Sequence, residues 1–353
     1  MGGGALFLFP TDYPVRINEL QSTWLRSGLA AVVGAATEIA IAQNKSKIYW
    51  LWIGMILCFI YLLGQYLIDV WHMHKLFTER YMQYIFLGKV NGVLIRTILV
   101  SGILGTSLSP IYEQSKHKIS LGVIRIFAIA LVLFSCLYNL EARKGFLVAM
   151  IVIAVWYIFE FKKVTQERTL SKSPSFKKLL AISLVIMLAI FSLVKHIERV
   201  PQWLNLVEDI EISSQIDPYS TWQHTEEMGP PQSVTGRYIS ANTFLRVAWV
   251  TVGLKLIPEN LLGHKVLHEA FQRALDHSNY DGAKVKSTHS AWIDFCLTFG
   301  LLGAVFLFLS LTLNLVAAIK SNGRFQSFGL MIMLNIAIVF LISEITRQHC
   351  IEI

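Results

Sequence analysis

An all-α, polytopic helical membrane protein is the architecture this sequence predicts, with about eight transmembrane helices and one long external loop containing amphipathic helices. Three observations predict it. Of 353 residues, 54% are hydrophobic and only 15% are charged, against about 25% charged in soluble domains. The mean hydropathy is +0.53. The apolar residues also gather into runs of the length a bilayer demands, roughly 20 per crossing, because a spanning helix must satisfy its own backbone in lipid. This composition excludes a disulfide-built secreted scaffold, a disordered chain and an ordinary soluble enzyme. A net charge of +8 would suggest nucleic acid in a soluble protein; here it reads as basic cytoplasmic loops, and no nucleic-acid partner is expected.

Taken in order, the spans fall at 27–43, 48–69, 91–111, 119–139, 145–161, 179–195, 291–319 and 325–344. Glu38 interrupts the first and Arg96 the third. The connector after 161 holds Lys162, Lys163, Arg168, Lys172, Lys177 and Lys178 against the single Glu167, which predicts a cytoplasmic loop. Lys45 and Lys47, Lys116 and Lys118, and Lys320 and Arg324 fall on the same side if the spans alternate. The only long hydrophilic stretch, 196–290, then lies outside the cytoplasm. The expected organisation is N-terminal helices over 1–195, the external loop over 196–290 and C-terminal helices over 291–353.

Alternation of eight spans leaves both termini outside, and Met1 to Arg26 reads like a loop between helices, without the basic region of a secretory signal. The expectation is that flanking helices are missing, in a fragment or a short family member. Cys58, Cys136, Cys296 and Cys350 are scattered and read as packing residues.

Within the loop, Pro201, Pro218, Pro230 and Pro231 make 201–236 read as irregular. From about 238 to 257 the pattern turns apolar and helical until Pro258 stops it. A second helix is expected from His264 to about His277. Both would lie along the membrane surface or cap a cavity between the spans.

Three basic residues at this external face suggest chemistry. Arg143 lies in the turn before the span at 145, Arg246 stands three residues before Trp249, and His289 lies where the loop meets the next span. An arginine fork suits phosphate oxygens and stays charged. A histidine can take a proton from a hydroxyl nucleophile. Each has a plainer reading: an arginine reaching to headgroups, a surface charge on an amphipathic helix, a hydrogen-bonding interfacial histidine. Asp294, i+5 from His289, reads either as a group that orients the histidine or as a first-turn acid favoured by the helix dipole. His264 and His268, with Glu269, have helical spacing for zinc but read as an exposed face, so no metal is expected. No cofactor motif is present.

The stretch Ser287-Thr-His-Ser-Ala-Trp-Ile-Asp-Phe-Cys-Leu-Thr-Phe-Gly-Leu-Leu-Gly303 resembles a signature of the bacterial O-antigen ligase and polymerase superfamily. Arg246-Val-Ala-Trp249, followed by Pro258 and Leu262-Gly263, is similar to an upstream segment of the same family, and Glu141-Ala-Arg143-Lys-Gly145 to one of its turns. Gly88-Lys-Val-Asn91-Gly92 is a further match to a family turn. The pattern departs at Ser290 and Ala142, where Asn and Ser are frequent, and by two residues between Pro258 and Leu261.

This resemblance implies a metal-independent GT-C glycosyltransferase of the bacterial inner membrane, active at the periplasmic face. Its substrates would be an undecaprenyl-pyrophosphate-linked glycan and an acceptor hydroxyl, on lipid A-core or another glycan, amid membrane lipids. Arg143 and Arg246 would bind the pyrophosphate with Arg237 in reserve, and His289 would orient or deprotonate the acceptor. The sequence shows no convincing acidic pair for a retaining double displacement. A polymerase, a protein O-oligosaccharyltransferase, a polysaccharide transporter and an inactive truncated homologue are the alternatives; a transporter's inverted repeat is not found.

Overall fold

In the computed structural model, residues 143–169, 176–199, 201–280, 283–320 and 326–343 are described continuously, with 97–105 and scattered positions among 17–74 and 126–133. Every described position within 27–43, 48–69 and 119–139 is helical, as are 97–105. The turn before Arg143 and the Gly88–Gly92 stretch lie outside the described residues. Among the described residues there are helices and one isolated bridge, Gln232 to Tyr238, and no strand. The chain divides into two compact units, Met1–Ala36 with Val200–Leu311 and Val339–Ile353, and Thr37–Arg199 with Thr312–Ile338.

In the second unit, α1 (Arg143–Thr169) and α2 (Phe176–Arg199) are antiparallel neighbours in sequence. α1 buries Phe146, Ala149, Val152, Ile153 and Trp156, and α2 buries Ile182, Val185, Ala189 and His196. Spacings of three and four put each set on one helical face. The Phe146 and His196 rings meet at 4.4 Å. α1 runs past the expected end at 161 because Lys, Gln, Glu and Arg after Lys162 are good helix formers with no glycine or proline among them.

The first unit contains the loop, and the loop is folded. α3 (Leu206–Ser214) and α4 (Thr225–Met228) alternate with single 3-10 turns at Pro201–Trp203 and Ser220–Trp222. The irregular reading of 201–236 is therefore corrected: its prolines bracket short elements instead of interrupting one long one. α5 (Ala241–Leu256) follows close to its expected bounds. α6 spans Ala270–Asp276 and not His264–His277, so His264 and His268 share no helix and the spacing argument for them falls. Ile212, Trp222, Phe244, Ala248, Val252, Leu256, Phe271, Leu275, Ile293 and Leu297 form one core. The last two belong to α7 (Ala291–Lys320), so the loop's core draws in the start of the next helix. α8 (Gln326–Ile342) follows.

α7 is broken at Gly300, whose φ of 70° and ψ of −171° are not helical. Trp292 and Phe308, on opposite sides of the break, stack at 4.9 Å with planes 7° apart. A straight helix would hold them roughly 24 Å apart at 1.5 Å per residue. The element is therefore a V, with its first arm folded back along the second. Ala291, Ile293, Asp294, Leu297 and Thr298 of the first arm are buried, whereas Leu301, Leu302, Val305, Phe306, Phe308 and Leu309 of the second are exposed. Among the described residues two helices, Gly145–Lys162 within α1 and Ala291–Lys320, are long and apolar enough to cross a membrane, and Gln326–Ile342 is a shorter apolar helix.

The apex is filled by the loop. His264 N–H donates to the Leu297 carbonyl at 2.8 Å, Lys265 N–H to Thr298 at 2.6 Å, and Leu301 N–H to Leu261 at 2.9 Å. Groups freed by the break thus find partners in residues 261–265, as buried backbone requires. Two glycines permit the approach. A Cβ on Gly263 (φ 67°) would run into the Gly300 N and the Thr298 carbonyl, and one on Gly300 would run into the Leu261 carbonyl.

Gly263→Ala combines a left-handed backbone, costing about 1–2 kcal/mol for an L-residue, with overlap against Gly300. It should lower the thermal midpoint of detergent-solubilised protein by more than that cost alone. Leu262→Ala, at the exposed neighbouring position, should change stability by about 0.5 kcal/mol or less.

Candidate functional site

The site residues predicted in the loop are set by two polar junctions, each built on a buried carboxylate. The first joins α3 to the start of α5. Residues 231–239 form a tight turn in which Ser233 N–H donates to the Arg237 carbonyl and Ile239 N–H to Pro231. This presents Arg237 to α3, where Nη2 donates to Asp209 Oδ1 at 2.7 Å and to Glu208 Oε2 at 2.9 Å. The other oxygen of Asp209 accepts the Ser240 N–H at 3.3 Å, at the N-terminus of α5. Asp209 is fully buried, and these partners are what a buried carboxylate needs. The hydrogen bonds to Asp209 and then to Glu208 raise the Arg237 pKa above its already high ordinary value. A guanidinium flanked by two carboxylates has little field left for a further anion. Arg237 thereby ties α3 to the turn that precedes α5.

α5 carries Arg246, Trp249 and Gly253 on one stripe, at spacings of three and four. The adjoining stripe, Phe244, Ala248, Val252 and Leu256, enters the core. At Gly253 a Cβ would meet Thr288 Cγ2 and Ile293 Cγ2, each at 2.7 Å. Glycine therefore lets the helix press against the segment leading into α7. One turn earlier the Trp249 indole stacks on the His289 imidazole, 5.3 Å between centroids and 18° between planes. Arg246, half-buried, stands one turn before Trp249 on the same stripe.

The second junction holds His289. Thr288 is wholly buried; its N–H donates to Asp294 Oδ1 at 2.8 Å and its hydroxyl to the same oxygen at 2.7 Å. Because the hydroxyl proton faces Asp294, its lone pairs are left to accept the Ser290 N–H at 3.2 Å. Asp294, 2% exposed, sits in the first turn of α7, where the helix dipole favours an acid. Both readings of Asp294 thus have a footing: it is a first-turn acid, and it fixes the residue before the histidine. Clamped on both sides, His289 takes φ 60°, a left-handed conformation uncommon outside glycine. Backbone strain of this kind persists where surrounding structure dictates it and gathers at functional sites.

The structure thus brings His289, Trp249, Thr288 and Asp294 together, with Arg246 one turn away. Arg143 is the first residue of α1, in the other compact unit. Sequence reasoning passed over Thr288, Gly253 and Asp209. Only Gly253 carried a signal, as an isolated glycine inside a helical pattern.

Beside the apex, His264 and His277 rings lie 5.8 Å apart, and His277 Nδ1 is 2.7 Å from the Arg273 carbonyl. Burial pushes the His264 imidazole below the ordinary histidine range, with His277 and then Arg273 adding to the effect and Asp276 opposing it. His268 N–H donates to the carboxylate of Glu19, which is buried.

A family model described as O-antigen ligase matches residues 128–308, more than half of the chain, including α5, His289 and the apex. No curated protein and no solved structure matches it.

Two outcomes test these junctions. Arg237→Met should lower the thermal midpoint by stranding Asp209, and adding Asp209→Leu should restore part of the loss, since removing both charges is tolerated better than removing one. For His264, a depressed folded pKa means that the unfolded chain gains its proton first, near pH 6.5. Stability should be full above that pH and fall as pH drops through the window below it. His264→Gln should flatten that fall in melts recorded from pH 7.5 to 5.5.

Proposed function

The chain belongs to the O-antigen ligase family, integral membrane proteins of ligase- or polymerase-type glycosyl transfer, and from that premise we propose that it moves a glycan from undecaprenyl pyrophosphate to a hydroxyl of lipid A-core. In this reading eight spans sit in the bacterial inner membrane with 196–290 on the periplasmic side, as the lysine and arginine clustering supports. The observation that carries the reading is the clamped His289, stacked on the Trp249 of the helix that bears Arg246.

The chemistry follows from these groups. The acceptor oxygen attacks the anomeric carbon as the bond from that carbon to the pyrophosphate oxygen breaks, inverting the centre. The hydroxyl proton passes to His289. The imidazolium then faces the Trp249 ring, whose π-face stabilises a cation. Arg246 offsets the charge that develops on the departing pyrophosphate, a role that suits a planar guanidinium fork and needs no metal ion; Arg143 is the second arginine that the family turn offers for a phosphate. Arg237, held by Asp209 and Glu208, supports the site by bracing α5. Asp294 acts through Thr288 as a positioning group.

The V in α7 suits a lipid-linked donor. Its first arm folds back beside the second, as the Trp292–Phe308 stack requires, and so carries the segment before Ala291 back alongside the apolar arm instead of away from it.

Complementation of ligase-deficient and polymerase-deficient strains, with glycan read by gel, tests the function. Attachment to lipid A-core is expected; longer chains on the lipid carrier alone would make the protein a polymerase. His289→Ala should abolish transfer with normal membrane insertion. Arg246→Lys should lose at least tenfold, because a point charge cannot replace the planar fork. Thr288→Val should cost about 1–3 kcal/mol by removing one of the two Thr288 hydrogen bonds to the buried Asp294 and should lower the turnover rate more than donor affinity, while Thr288→Ser should restore most of it.

A further inference from the structure

The loop is tied to a stretch of chain far from it in sequence. Residues 17–21 are helical, and Glu19 among them is buried while Asn18 and Gln21 are exposed. Glu19 Oε1 accepts the backbone N–H of His268 at 2.9 Å, across 249 residues of sequence. Both residues belong to the first compact unit. A carboxylate taken out of water is costly without donors, so this bond fixes where the segment lies. Asp209 and Asp294 act alike elsewhere in the unit. Each is buried and accepts a backbone N–H just before a helix, from Ser240 before α5 and from Thr288 before α7. Glu19 is a third acid of this kind, at His268 before α6, and it comes from outside the loop.

This bond bears on the course of the first span, at 27–43. The charges that flank it do not orient it: Arg16 and Arg26 precede it, and Lys45 and Lys47 follow it. Distance does. Eight residues lead from Glu19 to Ser27, and the first of them are helical. Even with the rest fully extended they reach about 25 Å at most, short of a hydrocarbon core of about 30 Å. Glu19 therefore lies on the side where the span begins. His268 lies in the loop, within which no span is expected.

We propose that the first span enters the membrane from the side on which the 196–290 loop folds, and that Glu19 holds the segment before that span against the start of α6. The joint in α7 gains from this directly. His264 and Lys265, which pair with Leu297 and Thr298, stand within four residues of His268. The inference rests on the reading of 27–43 as a span and is independent of which glycan the protein transfers.

The test uses the full chain with Cys58, Cys136, Cys296 and Cys350 replaced by Ser and one cysteine introduced at a time. Each variant is labelled in spheroplasts with a membrane-impermeant maleimide. Asn18→Cys is an exposed neighbour of Glu19 and Gln215→Cys an exposed position of the loop. Lys172→Cys marks the basic connector, and Asn44→Cys the far end of the first span. Asn18→Cys and Gln215→Cys should label equally, and at least fivefold more than Lys172→Cys and Asn44→Cys until detergent opens the membrane. Labelling of only one of Asn18→Cys and Gln215→Cys would overturn the proposal. Labelling of Asn44→Cys together with Asn18→Cys would show that 27–43 does not cross, and the proposal would fall with that reading. Protection of both Asn18→Cys and Gln215→Cys, with Lys172→Cys labelled, would uphold the shared side and reverse the periplasmic placement of the loop instead. Hydrogen exchange reads the bond itself. Glu19→Ala should speed exchange at least tenfold within 264–272 and leave α5 unchanged, while Glu19→Gln, which keeps an acceptor oxygen, should stay within threefold of the parent. Unchanged exchange at 264–272 in Glu19→Ala would overturn the role given to Glu19.

Discussion

Everything in the first compact unit depends on one exchange of backbone partners. Where α7 breaks at Gly300, carbonyls of one arm and an N–H of the other lose their helical partners, and residues 261–265 supply replacements. Buried or in lipid, such groups are costly unpaired, so helix and loop can adopt these shapes only together. The requirement for two glycines follows from distance: backbone meets backbone, and neither position has room for a side chain. The family segments around Leu262-Gly263 and Gly300-Leu-Leu-Gly303 therefore have a physical meaning apart from chemistry. They are the two halves of a joint.

From that joint the placement of the histidine follows. The folded-back first arm inserts Ile293 and Leu297 into the loop's core, which fixes the rotation of the arm and buries Asp294. A carboxylate buried there must find donors, and the backbone and hydroxyl of Thr288 provide them. With Thr288 pinned and Ser290 starting the helix, His289 has no extended alternative and stands out toward Trp249. Asp209 performs the matching task for α5, fixing its N-terminus through Arg237 and Ser240. Two helices carrying proposed site residues are thus each oriented at the N-terminal end by a buried acid, where the helix dipole and free N–H groups already favour negative charge.

How much of this the sequence disclosed depended on whether the governing contacts were local. The helix Ala241–Leu256 was legible within a few residues, because its apolar run and its stop at Pro258 are local features. Apolar length likewise marked the helices that begin at Arg143 and Ala291. The start of α6 was misjudged because His264 and Lys265, which continue the helical pattern, are recruited by carbonyls of Leu297 and Thr298 more than thirty residues away. The V was hidden for a related reason: a glycine in a long apolar run is ordinary in membrane helices, and nothing local marks Gly300 as a reversal. Arg246 and His289 were legible as residue types suited to phosphate and proton chemistry. Arg237 showed the same type, yet its role turned on Asp209, which lies in a stretch that looked featureless.

Arg237 and Arg246 show how two arginines of one loop are placed by different elements. Both are half-buried arginines of the same loop, Arg237 in the turn before α5 and Arg246 within that helix. Arg237 faces two carboxylates brought to it by α3, so its field is spent within the protein. Arg246 shares its stripe with an aromatic ring and a glycine, on the side of α5 that faces the histidine segment. Sequence spacing does not disclose the placement of Arg237, because the acids that hold it belong to another helix. The fold directs the acidic residues of α3 to the N-terminus of α5, and it sets Trp249 and Gly253, on the stripe of Arg246, against the segment that carries His289.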